Sequence, residues 1–322
     1  MQAAEEKLEN RMENCNMLDL LWLEITPKCN LNCVHCYADS SPYRPLTDGL
    51  TTDDWLRIIK EAAVLKCRMI QFIGGEPTIH PDLTKLVSAA RVAGIPSIEV
   101  YTNGTCFTSA LQECFLENKV QLAFSVYADN PEIHDRVTRT DGSQLKTLAA
   151  IEWAINNSMT VRAGVIDAGI NKGYTDAAVQ MLKTKGLVNV GVDRRRNIGR
   201  TQVSSEPDDL LRELCGRCAP GKLCVTSCGD IYPCVFSRFH VIGNAADGLD
   251  AALKSVPLRS FEEALHRIVS SSTDVDDDAL DACNPDRPSP CRPDEKCNPD
   301  MTCRPDADCQ PKHCAPERTG EN

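Results

Sequence analysis

Along the first 200 residues, short apolar runs of β type alternate with longer segments in which apolar positions recur with a helical period. Six runs read as strands: Leu20–Thr26, Met69–Ile73, Ser97–Thr102, Gln121–Val126, Thr160–Ile166 and Val188–Asp193. Helical periodicity covers Thr52–Lys66, Asp82–Ala93, Ser109–Asn118, Ser143–Asn156 and Lys172–Lys185, and a shorter sixth helix falls at Glu206–Leu214. Thr52, Asp82 and Ser143 suit N-caps, while Gly94 and Gly186 suit C-terminal caps. Regular alternation of strand and helix predicts an α/β fold around a parallel sheet. Six units are too few to close an eightfold barrel, so the expected architecture is an open, partial (β/α)6 barrel.

The texture changes from Cys215 onward. A cysteine-rich segment there carries Gly229-Asp230, a two-residue turn signal between Leu223–Thr226 and Ile231–Tyr232, which predicts a hairpin. An amphipathic helix follows at Ser260–Val269, and the acidic stretch Asp274–Asp281 reads as a linker. From Cys283 to Cys314 the unit Cys-x-Pro-Asp recurs; its prolines exclude helix and central strand, and it has too few large apolar residues for a core. The chain therefore divides into a barrel at residues 15–205, a small cysteine-rich extension at 206–270, and a linker with a low-complexity Cys/Pro tail at 271–322.

Composition narrows the function classes. With 42% hydrophobic and 25% charged residues in 322, the chain has the balance of a globular protein. No apolar run approaches the roughly 20 residues that span a bilayer, and Met1–Asn14 lacks the order of a signal peptide, so a cytoplasmic protein without membrane contact is expected. A net charge of −11 argues against a nucleic-acid partner, and Arg194-Arg195-Arg196 is too short a basic knot to alter that. Eighteen cysteines in such a chain point to metal or cluster ligation in preference to disulfides.

Cys29-x3-Cys33-x2-Cys36 directly follows the first strand. Three thiolates on one loop can hold three corners of an iron–sulfur cubane and leave the fourth iron open to a chelating small molecule. Zinc is the alternative. It normally takes four protein ligands, or three and a water, and His35, wedged between two of the cysteines, is badly placed to share their metal.

This loop, with Tyr37 beside its last cysteine, resembles the signature of the radical S-adenosylmethionine (radical SAM) enzymes. The resemblance implies that Cys29, Cys33 and Cys36 hold a [4Fe–4S] cluster that binds S-adenosylmethionine, whose reductive cleavage yields a 5′-deoxyadenosyl radical. Gly74-Gly75-Glu76 after the second strand resembles the family's Gly-Gly-Glu motif, which receives the ammonium of S-adenosylmethionine; glycines permit close backbone approach and Glu76 supplies the matching charge. Asn103, after the third strand, and Ser125, ending the fourth, occupy places where the family contacts the methionyl carboxylate or the ribose. Arg196 and Arg200, beyond the sixth strand, fall where the family carries a Gly-Arg segment, and an arginine fork suits a carboxylate. All these stations lie at the carboxyl ends of strands, where barrel enzymes place their sites.

Cys218-x10-Gly229-x4-Cys234 followed by Gly243-Asn244 is similar to the opening of a SPASM or twitch extension, which carries auxiliary [4Fe–4S] clusters. The resemblance makes Cys215, Cys218 and Cys234 ligands of one auxiliary cluster, with a fourth ligand from Cys283 or elsewhere in the tail. The tail departs from the full SPASM spacing, so one such cluster is expected and not two. Cys224 reads as a small buried apolar residue. Cys228, at the turn aimed toward the barrel mouth, could ligate a cluster or donate a hydrogen atom to a substrate radical.

The implied function is hydrogen abstraction from an unactivated carbon, first in crosslinking or epimerisation of a ribosomally made peptide. The alternatives are oxidation or epimerisation of a sugar or aminocyclitol, and a non-catalytic iron–sulfur or metal-storage protein. Partners would be a peptide or small-molecule substrate and an electron donor such as flavodoxin or ferredoxin. The first strand begins at Leu20, so leader-peptide recognition would fall to the barrel, the tail or a partner.

Overall fold

Each of the six expected strands forms, and they lie side by side in one parallel sheet: β1 (Leu20–Glu24), β2 (Met69–Ile73), β3 (Ser97–Thr102), β4 (Gln121–Val126), β5 (Val161–Asp167) and β6 (Asn189–Arg194). The computed structural model describes residues 18–271 apart from Arg217, so the acidic linker and the Cys283–Cys314 tail lie outside the described residues. The strand order β6-β5-β4-β3-β2-β1 follows the chain, and β6 does not pair with β1, leaving an open barrel.

Strand side chains alternate between two environments. Leu21, Leu23, Phe72, Val100, Leu122, Phe124 and Val165 face the helices and join the main core. The opposite set faces the lumen, where Leu20, Trp22, Met69 and Ile73 form a separate apolar cluster. Polar residues of this second set are tied to one another. Gln71 Nε2 donates to Glu99 Oε1, and Arg162 binds the same carboxylate at 2.7 and 2.8 Å.

The helices between strands are α1 (Thr52–Val64), α2 (Leu83–Val92), α3 (Ser109–Glu117), α4 (Pro131–Thr138), α5 (Ser143–Asn156) and α6 (Thr175–Thr184). Helix α1 buries Trp55, Ile58, Ile59 and Ala62, one side at helical spacing. Its N-cap is Thr51 and not the expected Thr52, because Thr51 and Asp54 close a reciprocal capping box. Thr52 instead reaches α2, donating from Oγ1 to Asp82 at 2.6 Å. Asp82 caps α2 by position alone, without a side-chain bond. Ser143 is likewise not the cap of α5. Gly142 is, and the Asp135 carboxylate supplies the acceptor from α4, taking the Gly142 and Gln144 N–H groups at 2.6 and 3.0 Å. Helix α4 itself lies where the periodicity marks no element, although Asn130-Pro131 is a cap followed by an N1 proline.

The extension begins with α7 (Pro207–Arg212) and continues in β7 (Lys222–Val225), β8 (Asp230–Tyr232) and β9 (Gly243–Asn244). It makes no sheet of its own. Strand β7 pairs parallel with β1, Trp22 opposite Cys224, and the hairpin extends the barrel sheet to nine strands. The hairpin turn is Thr226–Gly229, closed by the Gly229 N–H on Thr226 O at 2.9 Å; Asp230, expected in the turn, begins β8 because it pairs with Asn244 of β9. Helix α8 (Leu249–Leu253) and helix α9 (Val256–Ser271), longer than the expected Ser260–Val269, complete the described chain. Among the described residues no helix is long and apolar enough to cross a membrane.

Replacing Thr51 with alanine removes one half of the capping box. The expected cost is about 1 kcal/mol of unfolding free energy, read by urea denaturation, with no change in metal content.

Candidate active site

The Cys29–Cys36 loop leaves the end of β1 and is pinned along its length by backbone bonds. Cys29 N–H donates to Ser41 O at 3.2 Å, Asn32 N–H to Thr138 O at 3.2 Å, and Val34 N–H to Val137 O at 2.9 Å. Cys29 is buried, Cys33 and Cys36 are half-buried, and all eleven cysteines among the described residues are unbridged. Two of the thiols accept backbone donors, Leu31 N–H on Cys29 at 3.4 Å and Ser40 N–H on Cys36 at 3.3 Å. Burial pushes the Cys29 thiol up, and burial with the neighbouring Cys36 pushes Cys33 up to about 12, against the pull of the Tyr127 hydroxyl and Arg200. A bound cation reverses that preference for the neutral thiol. His35 stands edge-on to Tyr127, ring centroids 5.0 Å apart, and burial lowers its pKa to about 4, so it is neutral near pH 7. Three unbridged thiols on one loop, sulfurs already met by N–H groups and a neutral imidazole packed on an aromatic ring make a donor set that fits an iron–sulfur cluster.

Gly74 and Gly75 bring the end of β2 against this loop. Gly75 N–H donates to Thr26 O at 2.7 Å and Glu76 N–H to Lys28 O at 2.9 Å. A Cβ on Gly75 would overlap the Lys28 carbonyl, and one on Gly74 would stand 2.6 Å from Thr26 O. Close approach is therefore the reason for both glycines. Glu76 is 1% exposed, and its carboxylate accepts four bonds: Thr78 N–H (3.0 Å) and Oγ1 (2.6 Å), Thr102 Oγ1 (2.6 Å) and Asn103 N–H (2.8 Å). Burial raises its pKa while those donors oppose the shift.

Asn103 continues the connection. Its Nδ2 lies 2.9 Å from Asn30 Oδ1 and 3.8 Å from Cys29 Sγ, so the second and third stations both reach the cysteine loop. Ser125 is half-buried near the end of β4, beside the hydroxyls of Tyr101 and Tyr127, and the Tyr127 hydroxyl lies near Cys33. Arg200 donates to Cys33 O, to Ser40 O and, at 3.1 Å, to Asp39 Oδ1. Arg196 lies elsewhere. It is 5% exposed and holds Asp193 at 2.7 Å and Glu213 O at 2.7 Å, tying the end of β6 to α7. Tyr37 turns from the loop toward the extension, edge-on to Phe236 at 5.2 Å.

Cys215 and Cys234, together with burial, push the Cys218 thiol up, so Cys218 lies beside both of the other thiols picked out by spacing. Phe236 N–H also points at Cys234 Sγ, at 3.5 Å. Among the described residues no three His, Cys, Asp or Glu side chains already form a single-ion site. Cys224 is fully buried in the lumen cluster with Trp22 and Tyr232. Cys228 is exposed on the turn at the carboxyl end of β7, its sulfur 3.2 Å from Thr226 Oγ1 and 3.6 Å from Asp230 Oδ2. Two features were not anticipated from the sequence. Tyr127 lies beside Cys33, and Arg238 of the extension pairs with buried Glu24 of β1 at 2.6 and 2.8 Å. No local pattern marks either, since each contact joins distant segments.

The fold is thus an open parallel barrel with a three-thiol loop at the carboxyl end of β1. Residues 23–183 match the family model described as the Radical SAM superfamily, and the chain belongs to that superfamily. It is 36% identical over 134 residues to an AdoMet-dependent heme synthase of Methanosarcina barkeri, covering 41% of this chain and 38% of that protein. It is also 32% identical over 196 residues to a probable GTP 3′,8-cyclase of Methanothermobacter thermautotrophicus, covering 54% and 61%. The chain thus spans less than two thirds of the length of these curated relatives. Among solved structures, Streptococcus suis SuiB bound to S-adenosylmethionine matches with TM-score 0.64 at 16% identity, over 80% of this chain and 71% of SuiB. The enzyme anSMEcpe with bound AdoMet matches with TM-score 0.60 at 18% identity, over 76% and 82%. At these identities the two structures share the fold. Membership of the superfamily implies a [4Fe–4S] cluster and S-adenosylmethionine as cofactors.

Exposure predicts the order of thiol alkylation in the metal-free chain. With iodoacetamide near neutral pH, peptide mapping should find Cys228 modified well before the buried Cys29, Cys218 and Cys234. Equal rates at these four positions would contradict the described packing.

Proposed function

We propose that this radical SAM enzyme abstracts hydrogen from a ribosomally made peptide in its crosslinking or epimerisation, and that Cys215, Cys218 and Cys234 ligate an auxiliary cluster. The observation that carries the reading is the proximity of Cys218 to both Cys215 and Cys234 in an extension continuous with the barrel sheet. Cys29, Cys33 and Cys36 would hold the first cluster. When bound, that cluster and S-adenosylmethionine supply a 5′-deoxyadenosyl radical. The chain's own residues do the rest. Gly74 and Gly75 bring backbone close to the cysteine loop, Glu76 sets a buried negative charge beside it for the ammonium of S-adenosylmethionine, and Asn103 and Ser125 offer polar groups at the same rim.

Arg162, Arg196 and Arg238 are each matched by a carboxylate, Glu99, Asp193 and Glu24. SuiB has been solved with the precursor peptide SuiA, and anSMEcpe with the Cp18Cys peptide, so this fold accommodates peptides in those proteins. A one-electron donor such as flavodoxin or ferredoxin would supply the reducing equivalent.

Anaerobic reconstitution with iron, sulfide, dithionite and S-adenosylmethionine should yield 5′-deoxyadenosine, and the Cys29→Ala/Cys33→Ala/Cys36→Ala variant should yield none. A Cys215→Ala/Cys218→Ala variant should keep 5′-deoxyadenosine formation but lose iron and leave a peptide encoded beside the gene unmodified. Unchanged iron in that variant would remove the auxiliary cluster, and turnover of GTP would replace the peptide reading.

A further inference from the structure

We propose that Gly199 and Arg200 form a latch across the barrel mouth, and that Arg200 is a positioning residue acting on the cluster through Cys33 and Cys36. The inference rests on the superfamily's cluster at Cys29–Cys36 and is independent of the substrate.

Topology makes the contact informative. Strands β1 and β6 do not pair, and four strands of the barrel separate them. Yet the segment beyond β6 returns to the loop beyond β1. Arg200 N–H donates to Cys36 O at 3.0 Å. Its guanidinium spreads over the same loop, with Nη1 on Cys33 O, Nη2 on Ser40 O and Nε on Asp39 Oδ1 at 3.1 Å. One residue thus touches the loop at Cys33, Cys36, Asp39 and Ser40, fixing the span that presents two of the three thiols. Its side chain is 18% exposed, so these donors are largely withdrawn from water. Gly199 makes the approach possible. Its φ of +66° lies in the left-handed region, and a Cβ there would overlap the Tyr37 carbonyl.

The latch does two physical jobs. A planar fork with donors in fixed directions holds separate carbonyls at once, which an ammonium on a flexible stem does less well. Its positive charge also lies beside a loop that becomes anionic when the thiols ligate, and more so when a cluster there is reduced. Asp39 offsets that charge only in part, because its carboxylate is about half exposed to water. The geometry assigns the three guanidinium nitrogens to the protein loop, in place of the cofactor carboxylate that the family resemblance implies for Arg200.

The test compares full-length, anaerobically reconstituted wild type, Arg200→Lys and Arg200→Gln. Circular dichroism checks folding, and chelator challenge gives the rate of cluster loss. The electron paramagnetic resonance signal perturbed by S-adenosylmethionine gives the midpoint potential, and equilibrium dialysis gives cofactor affinity. Both variants should fold and lose the cluster several-fold faster. Arg200→Gln should move the potential to a more negative value, while Arg200→Lys, which keeps the charge, should stay near wild type. Wild-type cluster retention and potential in both variants, with only cofactor affinity reduced, would overturn the latch and make Arg200 a cofactor ligand. If Arg200→Gln does not fold, Arg200→Lys decides alone, and wild-type retention there overturns the proposal. A wild-type protein without the perturbed signal would instead defeat the cluster assignment itself.

Discussion

A carboxylate buried at the end of β2 has to be met by donors from the protein, and meeting it organises the site. Glu76 takes its four hydrogen bonds from two segments, Thr78 in its own turn and Thr102 and Asn103 at the end of β3. Hydrogen bonds to a charged group are worth roughly 1.5–3 kcal/mol each, and leaving such a group unpaired costs more than any one of them returns. Asn103, fixed in this way, carries the connection to Asn30 and Cys29. The thiol loop is therefore positioned from outside itself.

The same economy governs the lumen. Every strand donates one face to the helix-packed core, and the other must be filled or paired. Near β1, Leu20, Trp22, Met69, Ile73 and Cys224 fill it. Toward β5, Gln71, Glu99 and Arg162 pair within it, with the Arg162 guanidinium 5.2 Å from the centre of the Tyr101 ring. The extension uses both devices, since Cys224 completes the apolar cluster and Arg238 neutralises Glu24. Cys224 thereby becomes part of the barrel wall, and Tyr37 against Phe236 places the end of the thiol loop and the extension in direct contact.

Much of this could be read from residue order. Strand positions followed from apolar runs because covered strands have little freedom of composition, and the cysteine spacing marked the loop because ligation demands residues that reach one group. Spacing also picks out Cys215, Cys218 and Cys234, and the fold brings Cys218 beside the other two. What escaped was non-local. Nothing near Lys222–Val225 says that this strand will align parallel to β1, and nothing near Arg200 says that its donors are consumed by Cys33 and Ser40. The N-caps show the limit at short range. Asp135 caps α5 from the preceding helix, so a search within the helix sequence chose Ser143 where the acceptor came from elsewhere.

The proposed function places separate iron–sulfur clusters on two cysteine sets, one on the loop after β1 and one in the extension. Anomalous diffraction at the iron edge from anaerobically grown crystals of the reconstituted protein tests it most directly. The account predicts a cubane bonded to Cys29, Cys33 and Cys36 with one iron free of protein ligands, and a second cluster bonded to Cys215, Cys218 and Cys234. A single metal ion on the Cys29–Cys36 loop, or no iron at the extension, would contradict it.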